Sequence, residues 1–184
     1  MTNKGRLFVI SGPSGAGKGT VVEKLLELRP DLVLSTSATT RAPRTGEVQG
    51  VSYYFVTHKT FLEMVSREEF LEHAEYVGEY YGTPKKPVEE YLNEAKDVLL
   101  EIEVQGAKQV MLAKSDCVTI FIVPPNMEEL KNRLWGRGTD PNEKLEARLL
   151  KARQEMNEKD NYMHIVVNDE VIRAAEEILS IIGD

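Results

Sequence analysis

Cysteine is almost missing from this chain. Cys117 is the only one among 184 residues, so no internal disulfide can form and nothing points to an oxidising compartment. It opens the apolar run Cys117 to Val123, where a buried core thiol is expected. Long hydrophobic runs are missing too. No segment offers the roughly 20 apolar residues that cross a membrane. Met1 to Arg6 lead straight into an apolar strand, without the length of a secretory leader. Both features set the expectation of a cytoplasmic protein with no membrane partner. Basic charge is also short: 23 Lys and Arg against 30 Asp and Glu give a formal net charge of -7. That balance argues against a nucleic-acid binder, which needs a basic face. It still allows a small phosphorylated ligand, which needs only a local cluster of donors. The histidines His58, His73 and His164 are scattered and none adjoins Cys117, so no transition-metal site is expected.

What is present is an ordinary globular mix, 41% hydrophobic and 29% charged, long enough for one substantial core. Leu7 to Ile10 and Val118 to Val123 are apolar without alternation, as strands buried on both faces are. Leu32 to Ser35, Ser52 to Val56, Val98 to Ile102 and His164 to Val167 complete the open strand candidates. Phe70 to Val77 and Glu79 to Gly82 flank Gly78 as a hairpin. Helical spacing marks the segments after Lys18, Phe61 to Glu68, Lys85 to Lys96, Gln105 to Ala113, Asn142 to Lys159 and Glu170 to Ile182. Thr57 is placed to cap one helix. Asn126 is placed to cap another, with Glu129 in the reciprocal position three residues on. Thr39 to Glu47 is polar and rich in turn formers, and reads as a loop. Strands alternating with helices give a three-layer α/β sandwich around a mainly parallel sheet.

The decisive local pattern is Gly12 to Lys18, which fits Gly-x-x-x-x-Gly-Lys between a strand and a helix. Glycines there let backbone amides turn inward around phosphates, and the helix N-terminus adds unpaired donors. Lys18 brings a point charge to the β- and γ-phosphates. A hydroxyl residue usually follows the lysine to help hold magnesium; here Gly19 does, and Thr20 is the candidate for that role. The pattern points to an enzyme that moves a phosphoryl group from a nucleoside triphosphate to a small acceptor.

Further segments extend the pattern over nearly the whole chain. Ser11 to Lys18 resembles the phosphate loop of guanylate kinases, and Ser37 to Glu47 resembles that family's signature loop. Phe70 to Ala74, Gly78 to Thr83, Glu101 to Ala107, Arg133 to Gly138 and Val166 to Asp169 are similar to it as well, in the same order. The resemblance implies a P-loop NTPase type of α/β fold with a small mixed GMP-binding insertion and a helical lid. A core would comprise 1–36 and 87–184, the GMP-binding domain 37–86 and the lid 136–150. It implies transfer of the γ-phosphoryl group of ATP to GMP, and to dGMP, giving ADP and GDP. Mg2+ would be the cofactor and ATP the co-substrate, with no nucleic acid and no obligate protein partner.

The same resemblance assigns residues. Gly12, Pro13, Ser14, Gly15, Ala16, Gly17, Lys18, Gly19 and Thr20 would hold ATP, with Arg133 near the donor and Asn168 close to its adenine. Arg41 and Arg44 would grip the GMP phosphate, to which Tyr53 and Tyr81 would donate. Glu72 would read guanine beside Ser37 and Thr83, with Glu101 near the same nucleotide. Arg137 and Arg148 would come from the lid onto the transferring group, joining Lys18 and Arg41 as catalytic cations. Two departures stand out: Thr83 where some members carry serine, and Glu101 and Glu103 where others carry aspartates. A non-catalytic scaffold domain, a kinase for another nucleoside monophosphate and a phosphate-loop hydrolase or switch are the rival readings. The intact loop opposes the first, and Glu72 with the Tyr81 hairpin opposes the second.

Overall fold

Every residue of Leu7–Ser11 is buried, as a strand without polar alternation requires. In the computed structural model, which describes residues 4–76, 78–136 and 142–183, this strand, β1, lies at the centre of a five-stranded sheet. β1 pairs in parallel with β7 (Val98–Glu101) on one side and β8 (Val118–Val123) on the other. β2 (Val33–Leu34) and β9 (His164–Val167) extend the two flanks, also in parallel.

Alternate side chains leave a strand on opposite faces, and both faces of β1 are covered. Phe8 and Ile10 pack with Val21 and Leu25 of α1 (Lys18–Leu28) and Ile178 of α7 (Val171–Gly183). Leu7 and Val9 pack with Val88 of α3 (Lys85–Asn93) and Val110 of α4 (Val104–Ala113). These layers make the three-layer α/β sandwich that the sequence leads one to expect. A smaller cluster of Leu130, Leu134 and Ala152 joins α5 (Met127–Trp135) to α6 (Asn142–Met156). The chain leaves β1 toward β2 on one flank and later adds β8 and β9 on the other. The carboxyl end of β1 is therefore a switch point, where α/β sheets open a crevice for ligands.

A second sheet of four strands runs in the order β4-β3-β6-β5, with β3 Ala38–Thr39, β4 Tyr54–Phe55, β5 Phe70–Tyr76 and β6 Glu79–Pro84. Helix α2 (His58–Ser66) packs on it. Its Phe61 is fully buried, with ring centroids 4.5 Å from Phe70 and 5.4 Å from Tyr80.

Several local expectations change. Thr39, read as loop, lies in β3, where pairing with β4 and β6 overrides its turn-rich surroundings. Glu68 is outside α2 with φ 56°, a left-handed residue that turns the chain back into β5. The helix expected to reach Lys96 ends at Asn93, and Ala95 is left-handed at φ 59°. The helix expected to reach Lys159 stops at Met156 and gives way to a 3-10 turn over Lys159–Asn161. Thr57 and Asn126 accept from Thr60 and Glu129 amides as caps do, but the Glu129 carboxylate is taken by Arg133 instead of reaching back.

Removing the Phe61 ring leaves a cavity between two aromatic walls. Phe61→Ala is expected to cost about 3–5 kcal/mol, read as a lowered urea midpoint at unchanged slope.

Candidate active site

The turn after β1 needs glycine at its two ends. At Gly12 φ is 152°, and a Cβ would lie 2.3 Å from the Ile122 carbonyl oxygen on β8. At Gly17, the cap of α1, φ is 88° and a Cβ would meet Asn168 Nδ2 at 2.4 Å. The loop is closed by an Ala16 amide donating to Pro13 (3.1 Å). Lys18 Nζ folds back to the Gly12 carbonyl (2.7 Å) and lies 3.4 Å from Glu103 Oε1. α6 supports the loop from outside. Glu155, buried, accepts from the Ser14 amide (3.2 Å), and Arg148 Nη2 donates to Ser14 Oγ (3.1 Å).

Between the two sheets lies a cleft of about 460 Å³ whose walls include Ser14, Lys18, Ser37, Arg41, Arg44, Tyr53, Glu72, Tyr81 and Glu101. Arg41 makes a two-pronged pair with Glu47 (Nη2 to Oε1 2.8 Å, Nη1 to Oε2 3.0 Å) and lies 5.5 Å from the Tyr53 ring centre. The Glu47 bond, with help from Tyr81, raises the Arg41 pKa, and the Arg41 guanidinium lowers that of Glu47. Glu47 also accepts from the Arg44 amide (2.7 Å), so one carboxylate folds the whole arginine loop.

Glu72 is placed by a bulge. The β5 register shifts between Phe70 and Glu72, and Leu71 and Glu72 are both buried where alternation would expose one. Such a shift re-aims side chains. Thr83 Oγ1 donates to Glu72 Oε1 at 2.6 Å, and burial raises the Glu72 pKa against that bond. Thr83 touches the cleft only through this carboxylate. Burial also raises Glu101, with Lys18 opposing and Glu103 reinforcing the shift. A Cβ at Gly19 would lie 3.5 Å from Glu101 Oε1, which puts that carboxylate at the mouth of the phosphate loop.

A second cavity of about 450 Å³ opens on the other side of the loop, lined by Gly15, Gly17, Thr20, Arg133, Gly136, Asn168, Asp169 and Val171. Arg133 spans it, donating to Glu129, Ala16 and Asn168. Asn168 Nδ2 donates to the Ala16 carbonyl (2.8 Å), while its buried Oδ1 has no hydrogen-bond partner among the described residues.

A family model described as guanylate kinase matches residues 4–184. A guanylate kinase of Clostridium perfringens is 51% identical over 180 residues, covering 98% of this chain and 83% of the relative. That of Synechocystis is 49% identical over 181 residues, covering 98% and 95%. The crystal structure of the Anaplasma phagocytophilum guanylate kinase superposes with a TM-score of 0.81 at 37% identity, covering 98% of this chain and 86% of that one. The chain belongs to the guanylate kinase family. Its activity is the transfer of a phosphoryl group from ATP to GMP. Likeness to the shikimate kinase of Bacteroides thetaiotaomicron, 13% identical at a TM-score of 0.56, extends to the fold alone.

Set against the residues expected of a guanylate kinase, the structure groups them in two places. The cleft collects Ser14, Lys18, Ser37, Arg41, Arg44, Tyr53, Glu72, Tyr81 and Glu101. The second cavity collects Gly15, Gly17, Arg133 and Asn168, and Thr20 with them instead of with Lys18. Arg148 reaches the site through Ser14. Arg137 lies outside the described residues. Glu47 and Glu155 escaped sequence reading. Glu47 falls in the signature loop but offers no spacing cue, and Glu155 is 141 residues from the amide it holds.

The raised Glu72 pKa has a consequence for stability. A carboxyl bound more tightly to its proton in the folded state adds stability below its unfolded value, about pH 4.3. That contribution is lost as pH rises through the folded value. Glu72→Gln, which keeps an acceptor for Thr83, is therefore expected to melt at a higher temperature than the parent at neutral pH. The two should converge below about pH 4.3, as checked by melting curves across pH.

Proposed function

We propose that transfer takes place in the cleft between the two sheets, with GMP against the four-stranded sheet and the ATP phosphates on the loop that opens α1. One observation carries the reading: Lys18 lines the same cavity as Arg41, Arg44, Tyr53, Tyr81 and Glu72. A phosphate-loop lysine and a cluster of acceptor groups thus face a common space.

Guanine offers N1–H and an exocyclic amine, and the Glu72 carboxylate accepts both, with Ser37 beside it and Thr83 holding one oxygen. Those donors favour the ionised form that burial opposes. Adenine has no such pair and would leave a buried carboxylate unsatisfied, enough for discrimination of roughly 10⁴. dGMP is accepted in the same way, since none of these contacts reaches the ribose. The GMP phosphate replaces Glu47 on Arg41, with Arg44 and the Tyr53 and Tyr81 hydroxyls around it. A planar guanidinium suits phosphate as well as it suits carboxylate. The triphosphate likewise replaces Glu103 on Lys18, and Gly12 to Thr20 wrap it while Arg133 and Asn168 border the adenine.

In-line transfer needs position and positive charge more than a strong base. Lys18 and Arg41 supply charge from the two sides. Arg148, beside Ser14, and Arg137 add it as the lid, 136–150, closes and excludes water. Among the described residues no group of three or more acidic, histidine or cysteine side chains forms a metal cage. Magnesium needs few protein ligands where substrate phosphates supply the others. Glu101, whose carboxylate stands at the mouth of the loop beside Gly19, would hold it, whereas Thr20, the residue expected in that role, faces the second cavity. When bound, it neutralises charge on the β- and γ-phosphates. The domain division 1–36 with 87–184 and 37–86 belongs to this reading, as do a cytoplasmic location and independence of any protein partner. No described helix is long and apolar enough to cross a membrane.

The test follows ADP release with ATP and magnesium and with GMP, AMP, UMP, CMP or no acceptor. Turnover with GMP alone is expected, with GDP in equal amount; ADP formed without acceptor, or with AMP alone, would contradict the reading. Arg41→Met is expected to raise KM for GMP about 10–100-fold and leave KM for ATP unchanged.

A further inference from the structure

Helix α4 belongs to the five-stranded sheet's layers, yet it makes its most specific contacts with the other sheet. β5 is an outer strand of that sheet, so the outward N–H and C=O of its residues need partners from elsewhere. At His73 both come from one side chain. Gln109 Oε1 accepts from the His73 amide (3.1 Å) and Gln109 Nε2 donates to the His73 carbonyl (2.8 Å). The glutamine stands in for the strand that is missing there. Residues three apart share a helix face, and three residues earlier on α4 is Gly106, buried. A Cβ at Gly106 would lie 2.2 Å from Glu72 Oε2 and 2.8 Å from Glu72 Cδ. The carboxylate therefore occupies the space a side chain on α4 would take.

We propose that Gly106 and Gln109 are positioning residues for guanine selection, together fixing the plane of the Glu72 carboxylate from the core helix. The inference rests on the reading of Glu72 as the guanine acceptor. Thr83 holds Oε1 from within the four-stranded sheet, Gly106 bounds Oε2, and Gln109 fixes the backbone of the next residue. A carboxylate accepting two parallel N–H groups needs its plane as well as its position, and small errors there are costly. Alanine is the better helix former, so glycine at this point serves the carboxylate and not the helix. α4 also begins beside Glu103, the partner of Lys18, so one helix touches both the donor and the acceptor sides of the cleft.

Gly106→Ala and Gln109→Met test this with GMP and inosine monophosphate as alternative acceptors. Inosine monophosphate keeps N1–H but lacks the exocyclic amine, so the preference for GMP reports how well the carboxylate is aligned. In each variant the ratio of kcat/KM for GMP to that for inosine monophosphate is expected to fall about tenfold, with KM for ATP unchanged. A merely structural role would lower the melting temperature and depress both acceptors equally; a preserved ratio in folded protein would overturn the proposal. Should Gly106→Ala fail to fold, Gln109→Met, which conserves volume, decides alone. Glu72→Gln is run in parallel. If it too leaves the ratio unchanged, the reading of Glu72 has failed; if it abolishes the preference while both α4 variants keep it, only the present inference has.

Discussion

Two polyanions must be brought end to end, and their repulsion is the constraint on which the rest of this structure depends. The chain is acidic overall, with a net charge of -7, so the positive charge that overcomes the repulsion has to be gathered locally. Holding bare cations together would be costly. The protein eases this by giving two of them a carboxylate partner: Glu47 on Arg41 and Glu103 on Lys18. In the proposed mechanism phosphates take over those places, so the cations are oriented before either substrate arrives and the exchange swaps one anion for another. Glu155 on the Ser14 amide has the same character, an acidic side chain holding the shape of an anion-binding loop.

In the proposed mechanism the fold serves this by separating the two anions onto two sheets. The parallel sheet delivers the phosphate loop at the carboxyl end of its central strand, and the mixed sheet delivers Arg41, Tyr81 and Glu72 across the cleft. Covering both faces of β1 with apolar helices makes the loop's base rigid. The four-stranded sheet is smaller and depends on the Phe61 stack and on α4 for support.

How much of this is legible in the sequence follows from how local each feature is. The phosphate loop is readable because one turn's φ angles and close contacts demand Gly12 and Gly17, and Lys18 follows them directly in the chain. The α/β sandwich is readable because strands buried on both faces lose their alternation. Thr39 reads as loop in the sequence because a two-residue strand takes its identity from its neighbours in the sheet and not from its own segment. Glu129 looked like half of a capping box, but Arg133 one turn on competes for its carboxylate. Glu72 could be named only through family resemblance. What holds it, a bulge, Thr83 and the bare flank of Gly106, comes from three separate segments. Thr20 illustrates the opposite case: it lies two residues from Lys18 in sequence, yet helical rotation carries it to the second cavity.

The central claim is that donor and acceptor anions meet in one continuous site. The most direct measurement is calorimetric titration with a single ligand in which adenosine and guanosine are joined through a polyphosphate chain. The account requires one molecule per chain, bound far more tightly than ATP or GMP alone, with the gain lost in Lys18→Met and in Arg41→Met alike. Two molecules per chain, or an affinity no better than that of the tighter nucleotide, would mean that the two anions occupy separate sites and would contradict it.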